Sequence, residues 1–426
     1  MAESGVLAES TQERLAALGS VDVVAGIPTY NNTATVARAG EAIERGLETD
    51  FGAMRWLIVN ADGGSTDGTP ARLRESLSGE KLLQLPYSIK PAGEVSIPQS
   101  GVTGKTSAFR AILNAARTLD AKACVIFEPD VTSITPDWVE AMVRPILEKQ
   151  FDFVAPDHMR HRFDGAINKS IISPLTRALY GKRIHQPLGG DFGFSNKLIT
   201  HYLAQDAWNR DMGQFGVEIW LLTEALCGRF RICQAKLGPK VRDAADGGPD
   251  LSDALVQVLG PLFQAIERDA MFWQRVRGSE PVPAFGQAQE TSEETASIDV
   301  QKMIDSYRLG YQNLLEVWGP VLSPATLLEL KRVARSDANH FRIADEVWVR
   351  TIYDYALAYR ARVINRDHLL RAFTPLYLGW VASFLLEMRE ANQADVDRRL
   401  ERLCLAYESS KPYLISRWRW PENFNP

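Results

Sequence analysis

Cysteine is scarce in this sequence: four in 426 residues, at Cys124, Cys227, Cys233 and Cys404, with no C-x-x-C pair among them. That spacing excludes a zinc ribbon and a disulfide-built scaffold, and it suits a reducing compartment. Positive charge is not in excess either. Lysine and arginine number 48 against 53 acidic residues, a formal net charge of −5, so no general electrostatic pull toward nucleic acid or anionic lipid is expected. Apolar runs are short. No segment reads as the roughly 20 apolar residues that span a bilayer, and the opening MAESGVLAESTQERLAALGS lacks the basic head and apolar stretch of a signal peptide. Together these absences predict a cytoplasmic protein whose partners are small molecules, with neither nucleic acid nor membrane among them.

What is present is ordinary globular composition, 45% hydrophobic and 24% charged, in a chain long enough for one large or two moderate domains. Short apolar runs at 21–27, 56–60, 123–127 and 153–156 read as strands, and amphipathic stretches at 35–48, 69–77, 104–119 and 137–150 read as helices. Their alternation predicts an α/β domain over residues 1–250, with a parallel sheet covered on both faces. Beyond residue 250 the pattern turns mainly helical, through 251–277, 324–334, 368–388 and 392–407. A polar, Pro- and Gly-containing stretch at 278–297 reads as a mobile loop within the 251–426 region. Trp318, Trp348, Trp380, Trp418 and Trp420 read as core or interface aromatics.

In an open parallel sheet, ligands lie beyond the carboxyl ends of the strands. Three of the predicted strands end there in turn-forming residues: Pro28-Thr29-Tyr30-Asn31-Asn32, Asp62-Gly63-Gly64-Ser65-Thr66-Asp67, and Glu128-Pro129-Asp130. Glu128 and Asp130 are hard oxygen ligands suited to Mg2+ or Mn2+, which in turn bridges a diphosphate. A departing nucleoside diphosphate develops negative charge that such a cation stabilises. The alternative is a pair of acids that merely ends the strand and begins a turn. Asp62 is expected to accept a nucleobase N–H beside glycines that let the backbone approach a nucleotide, with Ser65 and Thr66 capping the next helix. GVTGK at 101–105 opens a helix without the frame of a P-loop. Amides after Gly104 and the Lys105 side chain are expected on a diphosphate, a solvated lysine being the alternative.

The order of these pieces (IPTYNN, then NADGGSTDGT, then an acidic x-D after a third strand) resembles the GT-A glycosyltransferases over residues 21–250. That resemblance implies a Rossmann-like mixed, mostly parallel sheet. It also implies a nucleotide-sugar donor held by Pro28, Tyr30, Asn32, Asp62, Gly63 and Ser65, and a divalent metal on Asp130 and Glu128. QPLGGDF at 186–192 and FGVEI at 215–219, with the lysine of GVTGK, are similar to one retaining branch. It contains the glucosyl-3-phosphoglycerate, glucosylglycerate and mannosylglycerate synthases. On that likeness Gly104, Lys105 and Gly189 border the donor, Gly190, Asp191, Ser195 and Asn196 border the acceptor, and Asp191, Glu218 and Lys105 form the catalytic group.

Two departures stand out. Glu128 replaces the usual first aspartate, and in LGPKVRD at 237–243 Arg242 stands where a histidine ligand is expected. A guanidinium cannot bind a metal ion. Asp243 as the substitute ligand, water in the coordination sphere, weakened metal binding and impaired activity all stay open, as does a place for Arg242 on the diphosphate as a fixed positive charge. GFSNK at 193–197 has no arginine for an acceptor phosphate. This favours glycerate or a similar small hydroxy acid over 3-phosphoglycerate. The expected activity is retaining transfer of a hexose, glucose first, from UDP or GDP, by a homodimer. A catalytically silent nucleotide-sugar-binding protein is the alternative that Arg242 raises.

Overall fold

The computed structural model describes residues 9–78, 81–87, 104–159, 165–209, 212–242, 250–287 and 299–420. Its strands are β1 Val23–Thr29, β2 Trp56–Asp62, β3 Leu82–Pro86, β4 Ala123–Ile126, β5 Phe153–Met159, β6 Lys182–Arg183, β7 Phe192–Ser195, β8 Ile232–Pro239, β9 Glu280–Pro281 and β10 Ala284–Phe285. Eight form one sheet in the order β10-β8-β5-β7-β4-β1-β2-β3, and β6 pairs with β9 alone. The mixed, mostly parallel α/β sheet expected from the sequence is the one that forms. Its exception is β7, which runs antiparallel to both β4 and β5.

β1 and β2 are buried at every position, which is why their apolar runs do not alternate. On one face, Val23, Ala25 and Ile27 join Ile43 and Leu47 of the helix Val36–Phe51 and Val139, Met142 and Val143 of the helix Pro136–Lys149. Each of these side chains except Ala25 contributes about 1.5–3 kcal/mol by leaving water. The helix Lys105–Thr118 lies so close over β1 that a Cβ on Gly26 would stand 2.5 Å from Ile112 Cγ2. The strand does not stop at Pro28, as its sequence suggests. Proline gives up one ladder donor, but the pairing continues through Thr29 opposite Asp62, and Gly63 N donates to Thr29 O at 2.9 Å.

The chain divides into two compact units. One comprises Met1–Arg160, Gln186–Pro249 and Val282–Thr291; the other comprises His161–His185, Asp250–Pro281 and Ser292–Pro426. The stretch at 278–297 is not loop throughout. Ala284 and Phe285 add an edge strand to β8, and Gln234 N donates to Pro283 O at 2.8 Å. Pro281 and Pro283 favour extended backbone and cannot donate, which suits a sheet edge. Residues 288–297 lie outside those described.

The second unit is mainly helical. Trp318, Trp348, Trp380 and Trp418 are buried there, whereas Trp420 is 67% exposed. The segment Arg366–Glu387 corrects the expectation that no apolar stretch is long enough to cross a membrane: it has 22 residues and a mean hydropathy of 1.4 over its most apolar window. That window is 67% buried inside the protein, so a core helix accounts for its apolar character. All four cysteines are free.

Candidate active site

Strands β1, β2, β4, β5 and β8 bring their carboxyl ends to one rim of the sheet, and antiparallel β7 begins there, with Phe192 opposite Ile126. The loops after β1 and β2 are laced together. Asp62 accepts from Thr29 Oγ1 at 2.9 Å, Ser65 Oγ at 2.6 Å, Gly64 N at 3.0 Å and Ser65 N at 2.9 Å. Four donors fill a carboxylate's acceptor sites. In this structure Asp62 thus shapes the turn. Ser65 is engaged in the same way, its Oγ also accepting from Asn31 N at 2.9 Å. Neither Ser65 nor Thr66 caps the helix Thr69–Ser76; Asp67 accepts from Thr69 N at 3.0 Å and from Thr33 N at 2.9 Å. Pro28 and Gly63 are buried at the strand ends, while Tyr30 and Asn32 are half-buried at the loop.

Next to these loops lies a buried network of charge. Glu128 Oε1 meets Lys105 Nζ at 2.9 Å, and its Oε2 meets Lys240 Nζ at 2.9 Å as well as Arg242 Nη2. Lys105 also holds Glu218 Oε1 at 2.5 Å, and Lys240 holds Asp191 Oδ2 at 2.6 Å. His158 Nε2 lies 2.8 Å from the same Asp191 oxygen, with the Trp138 ring 4.8 Å from the imidazole. Backbone ties close the network: Glu128 N donates to Asp191 Oδ1 at 3.0 Å, and Gly190 N to Glu218 Oε2 at 3.3 Å. At its outer end Arg242 Nη1 meets Asp130 Oδ2 at 2.8 Å, the two side chains being 43% and 30% exposed.

The charges set one another's protonation. Burial would raise Glu128, but Arg242, Lys105 and Lys240 hold it well below the usual carboxylate range. Burial likewise opposes the ionised form of Asp191, and Lys240 and the His158 hydrogen bond outweigh it, so its net shift is downward. Asp130 moves up, because burial and the Glu128 charge outweigh Arg242. Lys105 is raised by Glu128 and Glu218 against the pull of burial, and Arg242 is raised chiefly by Glu128.

Several of the expected residues take up positions that the sequence did not foretell. Lys105 is 2% exposed, enclosed by two carboxylates, and does not stand free at the helix start that Gly104 opens. Asp191 is fully buried and holds His158 and Lys240. Ser195 and Asn196 lie at the opposite edge of the sheet, because antiparallel β7 carries the chain away from the rim until Ser195 pairs with Ala123. Ser195 Oγ donates to Asp152 Oδ1 at 2.9 Å and Asn196 Nδ2 to Ala121 O at 3.0 Å. Gly189 and Gly190 do reach the network. Gly190 has φ +82°, and a Cβ there would fall 2.1 Å from Glu128 Cδ. Asp243 and the first residues of GVTGK lie outside the described residues. His158 and Lys240 are site residues that sequence reasoning missed. Lys240 had a signal, a lysine directly after β8, whereas His158 falls in a strand read as ending at Pro156.

Among the described residues no three His, Cys, Asp or Glu side chains form a metal cage. The Glu128 and Asp130 pair nevertheless already balances one cation, since the Arg242 guanidinium bridges both. This stand-in shows that the oxygens fit positive charge, with Asp130 the more accessible of the two acids. A cavity of about 560 Å3 elsewhere in this unit, lined by Asp137, Glu140, Arg144, Lys236 and Phe285 among others, contains none of the network's charged groups.

Solved structures similar to this chain include glucosyl-3-phosphoglycerate synthase from Mycobacterium tuberculosis in complex with Mn2+, UDP-glucose and phosphoglyceric acid. That likeness has 20% identity over 62% of this chain and 85% of the other, with a TM-score of 0.43. The same enzyme in complex with Mg2+ and UDP matches at 20% identity over 61% and 82% of the two chains, TM-score 0.41. No family model matches the sequence, and no curated protein matches it.

Proposed function

We propose that the chain is a retaining hexosyltransferase that moves a hexose, glucose first, from UDP or GDP to glycerate or a similar small hydroxy acid. One observation carries the reading: the loops after β1, β2 and β4, the Gly189-Gly190 turn and the Asp130–Arg242 pair share one rim of one mostly parallel sheet. Ligands bind such sheets at that rim. The buried network fixes the backbone of the turn, and the partly exposed Asp130 and Arg242 offer a carboxylate to a cation and a guanidinium to a phosphate. Mg2+ or Mn2+ would be held by Asp130 with Glu128 beside it, supplying positive charge to the leaving diphosphate. Glu218 is oriented by Lys105 and by the Gly190 amide. Retention needs no protein nucleophile, because an oxygen of the leaving phosphate can take the acceptor's proton while the site supplies position and charge.

The acceptor rests on the family resemblance alone. The stretch at 193–197 leads away from the rim, so its lack of an arginine has no bearing on the choice between glycerate and 3-phosphoglycerate. A cytoplasmic homodimer belongs to the same reading. Product analysis by mass spectrometry, with UDP- and GDP-hexoses against both acceptors, tests it. Asp130→Ala is expected to lower transfer at least about 100-fold and to leave unfolding within about 1 kcal/mol of the parent; unchanged turnover would remove Asp130 from the mechanism. A second reading, donor binding without transfer, is favoured by the hold of Arg242 on both carboxylates. Calorimetry showing metal-independent donor binding, with no product on adding acceptor, would select it.

A further inference from the structure

We infer that Arg242 and the divalent cation exchange places when donor binds: the guanidinium leaves Glu128 and Asp130 for the diphosphate, and the cation takes the oxygens it leaves. This rests on the nucleotide-sugar reading and adds a competition that the reading does not require. One guanidinium engages both acids, Nη2 on Glu128 Oε2 and Nη1 on Asp130 Oδ2 at 2.8 Å. A metal ion at the Asp130 oxygen must compete with the guanidinium that already holds it, since two cations in contact repel.

The surrounding structure lets this one cation move and holds the other two. Lys105 and Lys240 have side chains 1% exposed, against 43% for Arg242. The Arg242 backbone is pinned. It bridges Val131 antiparallel, Thr132 N donates to Val241 O at 2.9 Å, and Val241 N donates to Ser133 Oγ at 2.9 Å. A long side chain on a fixed base can swing without disturbing the fold. Its departure leaves Glu128 still paired with both lysines. Asp130 differs: among the described residues Arg242 is its one ion-pair partner. The charge deficit created by the swing therefore falls on the accessible acid, where a hydrated divalent ion can enter. The planar fork of the guanidinium suits a diphosphate better than a point charge would.

Donor and metal then reinforce each other, and metal alone is held off. The test is binding of Mn2+, read from the free-ion electron paramagnetic resonance signal, to the full chain and to Arg242→Ala and Arg242→Gln, with and without UDP or GDP. Without nucleotide, both variants are expected to bind Mn2+ roughly tenfold or more tightly than the parent, and nucleotide should raise Mn2+ affinity by a larger factor in the parent than in the variants. Adding Asp130→Asn to Arg242→Gln should abolish the gain. Variants that melt like the parent yet bind Mn2+ no more tightly overturn the exchange. If the parent still binds UDP or GDP in that case, the nucleotide-sugar reading stands; if it binds neither, both fall.

Discussion

At Gly190 the space beside Glu128 admits a hydrogen atom and nothing larger. The residue combines φ +82° with an ideal Cβ position 2.1 Å from the Glu128 carboxyl carbon. Both the left-handed backbone and a carboxylate held by three cations resist change. Gly190→Ala is expected to cost about 2 kcal/mol or more and to lower transfer with it, as read from denaturant unfolding and product formation; a melt unchanged from the parent would contradict the tight approach. Lys105 makes the complementary case. Removing it leaves Glu128 and Glu218 buried beside the gap, so Lys105→Ala is expected to destabilise the chain by about 3–5 kcal/mol. Residue types at this site were legible in the sequence, because two acids, two glycines and a lysine fell at strand and helix ends. Their depth was not. No local pattern tells a surface lysine from one enclosed by Glu128 and Glu218, since the second of these lies 113 positions away.

Among the elements, β7 explains the largest correction. Its residues FGFS carry no signal of direction, and only pairing with β4 and β5 shows that it runs against both. Reversal brings Gly189 and Gly190 to the rim and sends Ser195 and Asn196 to the far edge. β1, β2 and β4 were legible because continuous apolar runs mark strands buried on both faces. The edge strand β10 was not, because prolines disguise it as loop. The helix Asp345–Ala361 supplies a test by pH. Asp354 is buried, accepting from Tyr413 Oη at 2.6 Å and Ser323 N at 3.1 Å, and burial raises its carboxyl from 3.8 to about 6. The folded chain thus holds a proton between about pH 4 and 6 that the unfolded chain releases. Its stabilising contribution is complete below about pH 4 and is lost as pH rises through about 6. The unfolding free energy from urea titrations followed by tryptophan fluorescence should fall across that window by on the order of 2–3 kcal/mol, and Asp354→Asn should flatten the fall; an equal slope in the variant would discount the buried acid.

For the whole molecule, composition and charge led to an expectation of small-molecule partners, and a change of hydrophobic period to an expected boundary near residue 250. The division into units is finer than a single cut, since Val282–Thr291 groups with the sheet and His161–His185 with the helices. Groupings of this kind depend on contacts between distant segments, which periodicity does not record. A homodimer would give twice the chain mass in light scattering, and the chain mass alone would exclude it under those conditions. The central claim is that a nucleoside diphosphate and its cation meet Asp130 at the carboxyl rim of the sheet. Crystals grown with Mn2+ and UDP or GDP, measured at the manganese absorption edge, test it most directly. The prediction is an anomalous peak about 2 Å from an Asp130 oxygen, with the diphosphate beside it and Arg242 withdrawn from the two carboxylates. Nucleotide bound away from this rim, or manganese ligated without Asp130, would contradict it.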